Sequence, residues 1–235
     1  MSDRQEEWIR AIERSWIVRF PKQHLATFGI SNIEYYVVTE PIYQDVDSDK
    51  KEGVVRTGKV ISQKPAVVTP TYVMNVQGFS SEAYDYFRET ARMAGPNSPG
   101  ILYQYKNEVS KMDIVGGTPS QIAQKISEDL DSRKEDMSVV MVGVDELWDV
   151  ALLKFIYEFT SSSIAGNVQE FQSRGMLEPQ SEFGGVPRAV TQKINRMFSE
   201  VEHGADPDVL KHELDRWGLF KHYEDRFLNI FRQNR

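Results

Sequence analysis

The sequence predicts an α+β or α/β fold, in which a mixed β-sheet carries packed helices and is followed by a helical C-terminal subdomain. Residues 16 to 76 are rich in β-branched and aromatic residues between Gly, Pro and charged clusters, which is typical of strands. Residues 110 to 144 have the pattern of a strand, a helix and a second strand, which favours at least one parallel pair. Beyond residue 185 the apolar residues recur with helical periodicity.

The N-terminal part is predicted to form one helix and then a set of strands. Residues 3 to 14 place Trp8, Ile9 and Ile12 on one face, as in an amphipathic surface helix. Three or four strands follow, in the segments WIVRF, IEYYVVTEPIY, GVVRTGKVIS and PAVVTPTYVMNV. Proline cannot donate to a sheet ladder, so the prolines of these segments are expected at strand starts, edges or bulges.

The middle of the chain is predicted to alternate between helices and strands. The Ser-Ser pair before Glu82 can cap a helix that ends at Ala94, and the strand ILYQYKNEV follows. Thr118 and Pro119 begin the next helix, and Gln121 completes a capping box. The segment SVVMVGV does not alternate between apolar and polar residues, which indicates a fully buried strand.

A long apolar helix and a linker are predicted to separate two parts of the chain. Residues 145 to 159 are apolar almost all the way round a helix, which is typical of a central core helix or a subunit interface. A further helix is expected to end at Arg174. Residues 176 to 185 contain Gly and Pro without periodicity and are read as a linker. We therefore predict a main α/β domain at 1–175 and a helical appendage at 186–235.

Composition excludes several classes of protein. The chain contains no cysteine, which rules out disulfides, thiolate metal sites and thiol nucleophiles. The formal net charge of -7 gives no basic footprint for nucleic acid, so a nucleic-acid partner is disfavoured. No apolar stretch is long enough to span a bilayer, and the polar start MSDRQEEWIRAIER lacks the apolar region of a signal peptide. We expect a cytoplasmic protein with no membrane partner.

A short repeat lies near the C-terminus, where residues 211–217 (KHELDRW) recur as residues 221–227 (KHYEDRF). At about 100° per residue, His212 and His222 point away from the apolar stripes of their helices, so packing explains the repeat better than catalysis or metal binding. The stripes must be buried on the main domain or on another chain. We assign them to docking of a partner; the residues are Leu210, Leu214, Trp217, Phe220, Tyr223, Phe227 and Phe231.

The spacing of Asp45, Asp47 and Asp49 is that of a calcium loop. The match then fails, because Lys50 and Arg56 occupy the positions of the turn glycine and the bidentate carboxylate. An acidic hairpin tip is the better interpretation. The cationic segment RFPKQH, residues 19–24, lies at a strand end, and we expect solvated edge charges there in preference to an anion site.

The segment IVGGTPS opens a helix directly after a strand, and its free backbone amides can hold a phosphate or carboxylate. The residues of this candidate site are Gly116, Gly117, Thr118 and Ser120. The acidic pair Asp145 and Glu146 ends the following strand, and adjacent parallel strands would bring it close enough to hold a divalent metal beside the turn. A Gly-rich connection with a capping box and an ordinary helix start explain the same residues without a ligand. The chain contains no G-x-x-x-x-G-K-[ST] or G-x-G-x-x-G motif.

Two functions from different classes follow. No segment carries a motif specific enough to indicate a family, and we assign no catalytic residue. The first hypothesis is a non-catalytic protein-interaction or homo-oligomeric assembly module that needs no cofactor. Tyr103 and Tyr105, which alternate on one strand, fit such an interface, but core packing is the default explanation of these residues. The alternative is a phosphate- or nucleotide-binding enzyme that uses the turn at 116–120, Asp145, Glu146 and magnesium.

Overall fold

The structure is a computed structural model that describes residues 3–42, 51–75 and 81–233. It confirms the fold class: across these residues a mixed five-stranded sheet is combined with eight α-helices, and the C-terminal region is helical. None of the described helices is both long enough and apolar enough to cross a membrane.

The elements follow one another along the chain as α1 (Asp3–Glu13), β1 (Trp16–Arg19), β2 (Ser31–Thr39), β3 (Glu52–Ser62), β4 (Ala66–Val68), α2 (Pro70–Met74), α3 (Ser81–Ala94), β5 (Gly100–Leu102), β6 (Tyr105–Gly116), α4 (Pro119–Ser132), β7 (Ser138–Gly143), α5 (Trp148–Ser173), β8 (Pro179–Gln180), β9 (Val186–Pro187), α6 (Arg188–Glu202), α7 (Pro207–Arg216) and α8 (Phe220–Gln233). Single 3-10 turns precede α5 and follow β8.

Several elements differ from the sequence prediction. Within its described residues, the segment PAVVTPTYVMNV is a strand only at β4, because Thr69 accepts a hydrogen bond from the amide of Tyr72 and so caps the short helix α2. The predicted strand ILYQYKNEV and the strand predicted at the start of residues 110–144 form the short β5 and then the single long strand β6. The two helices predicted around residue 160 are one helix, α5, of 26 residues. The predicted linker at 176–185 contains β8, which pairs with β9.

The chain divides into two compact units that differ from the predicted domains. One unit comprises residues 1–65 and 103–167, and the other comprises residues 66–102 and 168–235. The helical C-terminal region is therefore grouped with residues 66–102, which the sequence had assigned to the main domain, and the division falls within α5.

The first unit is built on a sheet with the strand order β1-β7-β2-β3-β6. Strands β2 and β7 are parallel, so the sheet contains a parallel pair, but the two strands of the 110–144 unit, β6 and β7, are not neighbours. The other neighbours are antiparallel. Helix α4 covers one face through Ile122 and Leu130, which pack with Val38 of β2. Helix α5 covers the other face through Phe155 and Phe159. Because β7 lies between these layers, five of its six residues are buried, as its unbroken apolar run predicts.

Arg19 anchors β1 to the turn between α4 and β7. Its guanidinium donates to the carbonyl oxygens of Ser138 at 2.6 Å and Glu135 at 2.7 Å, and to Asp131 Oδ1 at 3.1 Å. The expected solvated edge at this residue is wrong, because the side chain is only 5% exposed. A cation can be buried here because backbone carbonyls and a carboxylate satisfy its donors.

The second unit contains the helices α6, α7 and α8, which enclose an apolar core. Its fully buried side chains include Ile194, Phe198, Leu210 and Leu214. The buried carboxylate of Glu213 is satisfied within this unit: its Oε1 accepts from Lys193 Nζ at 2.5 Å and from Trp217 Nε1 at 2.9 Å. This carboxylate therefore ties α7 to α6.

Candidate interaction surface

Strand β6 forms one edge of the five-stranded sheet, and among the described residues β3 is the only strand that pairs with it. Eleven of its twelve residues are exposed, whereas only two of the nine residues of β2 are. Three large apolar side chains contribute to this surface, with Val109 62%, Met112 61% and Ile114 57% exposed. A long exposed edge with apolar side chains presents unpaired backbone groups to which another chain can pair.

A β-bulge at Ser110 changes the alternation of side chains along β6. Thr57 lies opposite Lys111 and the next residue, Gly58, lies opposite Val109, so Ser110 has no partner on β3. The alternation of faces along a strand is therefore shifted by one residue at this point. Odd-numbered residues before the bulge share a face with even-numbered residues after it.

Gly58 permits the close approach of β3 and β6 beside the bulge. A Cβ on this residue would lie 2.5 Å from the carbonyl oxygen of Glu108 and 2.5 Å from Cζ of the Tyr35 ring. Such separations lie well inside van der Waals contact, and the carbonyl belongs to the backbone and cannot rotate away. Gly58 therefore allows the backbone of β3 to lie close to Glu108 beside the bulge.

One face of β6 is apolar as a result. Val109, Met112 and Ile114 lie opposite Gly58, Arg56 and Val54 of β3, and directly opposed residues have their side chains on the same face. This is the face of the sheet that carries α5, because Val60 of the same series packs in the core beneath that helix. Tyr105, at the start of the strand, lies on this face too and its hydroxyl contacts Thr160 at 2.5 Å.

The opposite face of β6 carries alternating charges. Lys106 Nζ lies 2.7 Å from Glu108 Oε1, and Lys111 Nζ lies 2.9 Å from Asp113 Oδ2. Lys106 holds the pKa of Glu108 below its ordinary value, mainly by a side-chain hydrogen bond, and Asp113 raises the pKa of Lys111 in the same way. This face and α4 line an open groove of about 900 Å³. The two cations and two anions leave no net charge on this face of the strand.

In the candidate anion site at the start of α4, two of the four backbone amides donate to groups of the chain itself. The amide of Gly117 donates to the carbonyl of Lys51 at 2.7 Å, and the amide of Thr118 donates to Gln121 Oε1 at 3.1 Å. The amide of Gln121 donates to Thr118 Oγ1, so the predicted capping box is confirmed. The two further residues of this site, Gly116 at the end of β6 and Ser120 in the first turn of α4, are exposed.

The acidic pair after β7 is engaged in a different contact. Asp145 Oδ1 accepts from Arg56 Nη1 at 2.6 Å and from Thr39 Oγ1 at 2.6 Å. The ion pair is largely buried, with the Arg56 side chain 16% and the Asp145 side chain 13% exposed, and Arg56 lies over the ring of Trp148. Glu146 is exposed. In the part of the chain that the structure describes, no group of three or more His, Cys, Asp or Glu side chains has the arrangement of a metal site.

The expected proximity of the anion turn and the acidic pair needs correction. It assumed that β6 and β7 are adjacent, but β3 and β2 lie between them. Three strand spacings of about 4.8 Å separate their ends by about 14 Å. The chain reaches β7 from β6 by crossing the sheet with α4, a long-range arrangement that the local sequence does not specify.

The predicted docking stripe is largely the core of the second unit. Leu210, Leu214, Trp217, Tyr223 and Phe227 are buried, Phe220 is half-buried, and Phe231 is exposed. All of them except Phe231 belong to the cluster that includes α6, so most of the stripe is buried within its own chain and is not exposed to a partner. His212 and His222 are exposed, as their positions on the helices predicted. The calcium-like spacing of Asp45, Asp47 and Asp49 lies outside the described residues.

Sequence reasoning missed the features of β6 that matter most here. A charged residue occurs at every second position at 106 and 108 and again at 111 and 113, and the spacing changes by one residue at Ser110. That irregularity is the available signal of a bulge within one continuous strand. Sequence reasoning also missed the Arg56 to Asp145 ion pair, because the two residues are distant in the chain.

A second exposed apolar surface lies between α1 and α5 in the first unit. It is an open groove of about 710 Å³, lined by Trp8, Ile12, Leu153 and Tyr157 among others. Most of the side chains that line this groove belong to helices, whose backbone N–H and C=O groups are hydrogen-bonded within the helix. It therefore offers side-chain contacts without free main-chain donors and acceptors.

No protein-family model, no curated protein and no solved structure matches this chain. Among the surfaces of the described residues, the open edge of β6 combines exposed apolar side chains, alternating charges and a free strand edge.

Proposed function

We propose that the protein is a non-catalytic interaction and assembly module whose binding surface is the open edge of β6. The single observation that carries this proposal is an edge strand of which eleven of twelve residues are exposed. A strand from a second polypeptide can add to such an edge, with main-chain hydrogen bonds that supply affinity and side chains that supply specificity. Val109, Met112 and Ile114 would then lose exposed apolar area on binding.

The open strand is a better candidate than either helical surface. Most of the C-terminal stripe packs inside the second unit, and the groove between α1 and α5 offers side chains alone. Only an open strand edge can extend the hydrogen-bonding ladder of the sheet to another chain. The tyrosines noted in the sequence add nothing to this surface, because Tyr103 and Tyr105 pack against the core of the first unit.

The alternative function, a phosphate- or nucleotide-binding enzyme with magnesium, stays a prediction with weaker support. Binding of an anion at the start of α4 would have to replace the hydrogen bonds that the amides of Gly117 and Thr118 make. Binding of a metal at Asp145 would have to displace the Arg56 guanidinium from its carboxylate. No contact of the described residues favours this function.

The proposal is tested by the association state of the full chain. We expect sedimentation velocity over a range of concentrations to show association of the wild type, and Val109→Lys to weaken it because a charged side chain on an edge strand opposes pairing. Val209→Lys is the matched control: Val209 is 58% exposed, close to the 62% of Val109, but lies on α7. A wild-type chain that stays monomeric at every concentration, or association that Val109→Lys leaves unchanged, would overturn the proposal.

A further inference from the structure

We infer that the strand added to β6 is β6 of a second copy of this chain, antiparallel and related by a two-fold axis at Val109. The inference rests on the proposed function of the β6 edge and specifies its partner. The two five-stranded sheets would become one continuous ten-stranded sheet. Three properties of β6 lead to this pairing: the bulge, the order of the charges and the composition of the apolar face.

The symmetry of such a pair determines which residues can meet. A two-fold axis perpendicular to a sheet keeps each face on its own side, so opposed residues in the two copies must belong to the same face. In a regular strand Lys106 and Asp113, seven residues apart, would lie on opposite faces. The bulge at Ser110 brings them onto one face, together with Glu108 and Lys111.

The charges are arranged symmetrically around Val109 when positions are counted along β3. Glu108 and Lys111 lie one position to either side of it, opposite Lys59 and Thr57. Lys106 and Asp113 lie three positions to either side, opposite Ile61 and Val55. An axis at Val109 therefore sets Glu108 opposite Lys111 of the second copy and Lys106 opposite Asp113 of the second copy. Each ion pair forms twice, and the charges alternate both along and across the two strands.

Neighbouring symmetric registers place like charges together. With the axis at Glu108, the Glu108 carboxylates of the two copies face each other, and Lys106 faces Lys111 of the second copy. With the axis at Lys111, the two Lys111 ammonium groups face each other, and Glu108 faces Asp113 of the second copy. Like charges directly opposite one another destabilise strand pairs. An axis at Asn107 or at Met112 opposes one lysine and one carboxylate twice, whereas the axis at Val109 forms four such pairs. The charges therefore favour the register centred on Val109.

The apolar face agrees with the same register. When positions are counted along β3 in the same way, Val109 faces Val109 of the second copy. Met112 then faces Asn107 of the second copy, and Ile114 faces Tyr105 of the second copy. The three aliphatic side chains are each more than half exposed in the single chain, so pairing removes apolar area from water on this face. The charged face determines the register, and the apolar face contributes affinity.

The absence of cysteine allows a direct test of this register. We expect Val109→Cys to form a covalent dimer under mild oxidation, because opposed residues of antiparallel strands lie within the range of disulfide Cα separations. Ile114→Cys is the matched control, because Ile114 lies on the same face and is 57% exposed, close to the 62% of Val109. In the inferred register its two copies lie eight positions apart, about 26 Å, so it should remain uncrosslinked. Equal crosslinking of both variants, or crosslinking of Ile114→Cys alone, would overturn the inference.

Complementary charge reversals give a second, independent readout. We expect Lys106→Glu and Asp113→Lys each to raise the dissociation constant by about tenfold, since each variant sets two like-charge pairs in its homodimer. A mixture of the two variants should form a heterodimer of near wild-type affinity, because every opposed pair again has opposite charges. If Val109→Lys abolishes association but the mixture shows no recovery, β6 is the interface and the inferred register is wrong. If Val109→Lys has no effect, the proposed function itself fails.

Discussion

Replacement of Arg19 by methionine should destabilise the protein much more than replacement of Lys22, although both cations bind the same carboxylate oxygen. Arg19 Nε lies 3.1 Å and Lys22 Nζ lies 2.9 Å from Asp131 Oδ1. The two side chains differ in burial, since Arg19 is 5% and Lys22 is 52% exposed. The comparison therefore separates the contribution of buried hydrogen bonds from that of an exposed ion pair.

The expected magnitude follows from the groups that each substitution leaves behind. Arg19→Met removes the donors to the carbonyl and the hydroxyl of Ser138, which are buried, and one of two donors to the carbonyl of Glu135, which still accepts from the Ser138 hydroxyl at 2.7 Å. A buried acceptor left unsatisfied costs about 1–3 kcal/mol, so we expect a total loss of about 2–4 kcal/mol in the free energy of unfolding. Lys22→Met removes only a half-exposed ion pair, whose contribution is about 0–1 kcal/mol. Asp131 is 49% exposed, so neither substitution leaves a buried unpaired charge.

Urea unfolding followed by circular dichroism measures both free energies of unfolding under the same conditions. Arg19→Lys is a useful third variant, because lysine retains the charge but lacks the planar group that reaches three acceptors. We expect its free energy of unfolding to be closer to that of Arg19→Met than to that of the wild type. Equal losses for Arg19→Met and Lys22→Met would refute the reasoning, since the ion pair with Asp131 would then account for the whole effect.

Three further predictions concern other parts of the molecule. Glu213→Ala should lower the free energy of unfolding by about 2–3 kcal/mol in urea titrations, because the buried Trp217 indole loses its acceptor, and Glu213→Gln should cost less. Burial raises the pKa of Tyr103 from 10.0 to about 12. The stability that the neutral phenol contributes is therefore present below pH 10 and is lost as the pH rises toward 12. In unfolding titrations at alkaline pH, Tyr103→Phe should lose less stability than the wild type. Thr118→Ala should cost about 1 kcal/mol in thermal unfolding, because it removes the cap of α4.

The parts of the fold that local chemistry determines were predictable. The start of α4 was found because Thr118, Pro119 and Gln121 carry the whole capping signal within four residues. Strand β7 was recognised as buried because its apolar run does not alternate, and it does lie between two helical layers. In both cases the cause of the structure lies inside the element.

The features that depend on distant partners were not predictable in the same way. Arg19 has the sequence context of a solvated edge cation, but its acceptors lie more than 110 residues away in the chain. Asp145 was assigned to a metal site, but Arg56 and Thr39 bind its carboxylate from two other strands. The stripe on α7 and α8 was correctly identified as apolar, while its burial on α6 depended on how three helices pack. Amphipathic periodicity identifies the face that is buried and does not identify what buries it.

The charges of β6 can be interpreted either as protection of an edge or as recognition, and the arrangement distinguishes the two. Charged side chains and bulges are both known means of preventing edge-to-edge pairing. Protection by repulsion requires an excess of one sign, because a second copy of the strand must then meet like charges in every register. The charged face of β6 instead has two lysines balanced by two carboxylates, and the bulge at Ser110 places them symmetrically about Val109. A strand with this order repels its own copy in the two adjacent registers and forms more ion pairs in the register at Val109 than in those at Asn107 or Met112, which is the property expected of a specific interface.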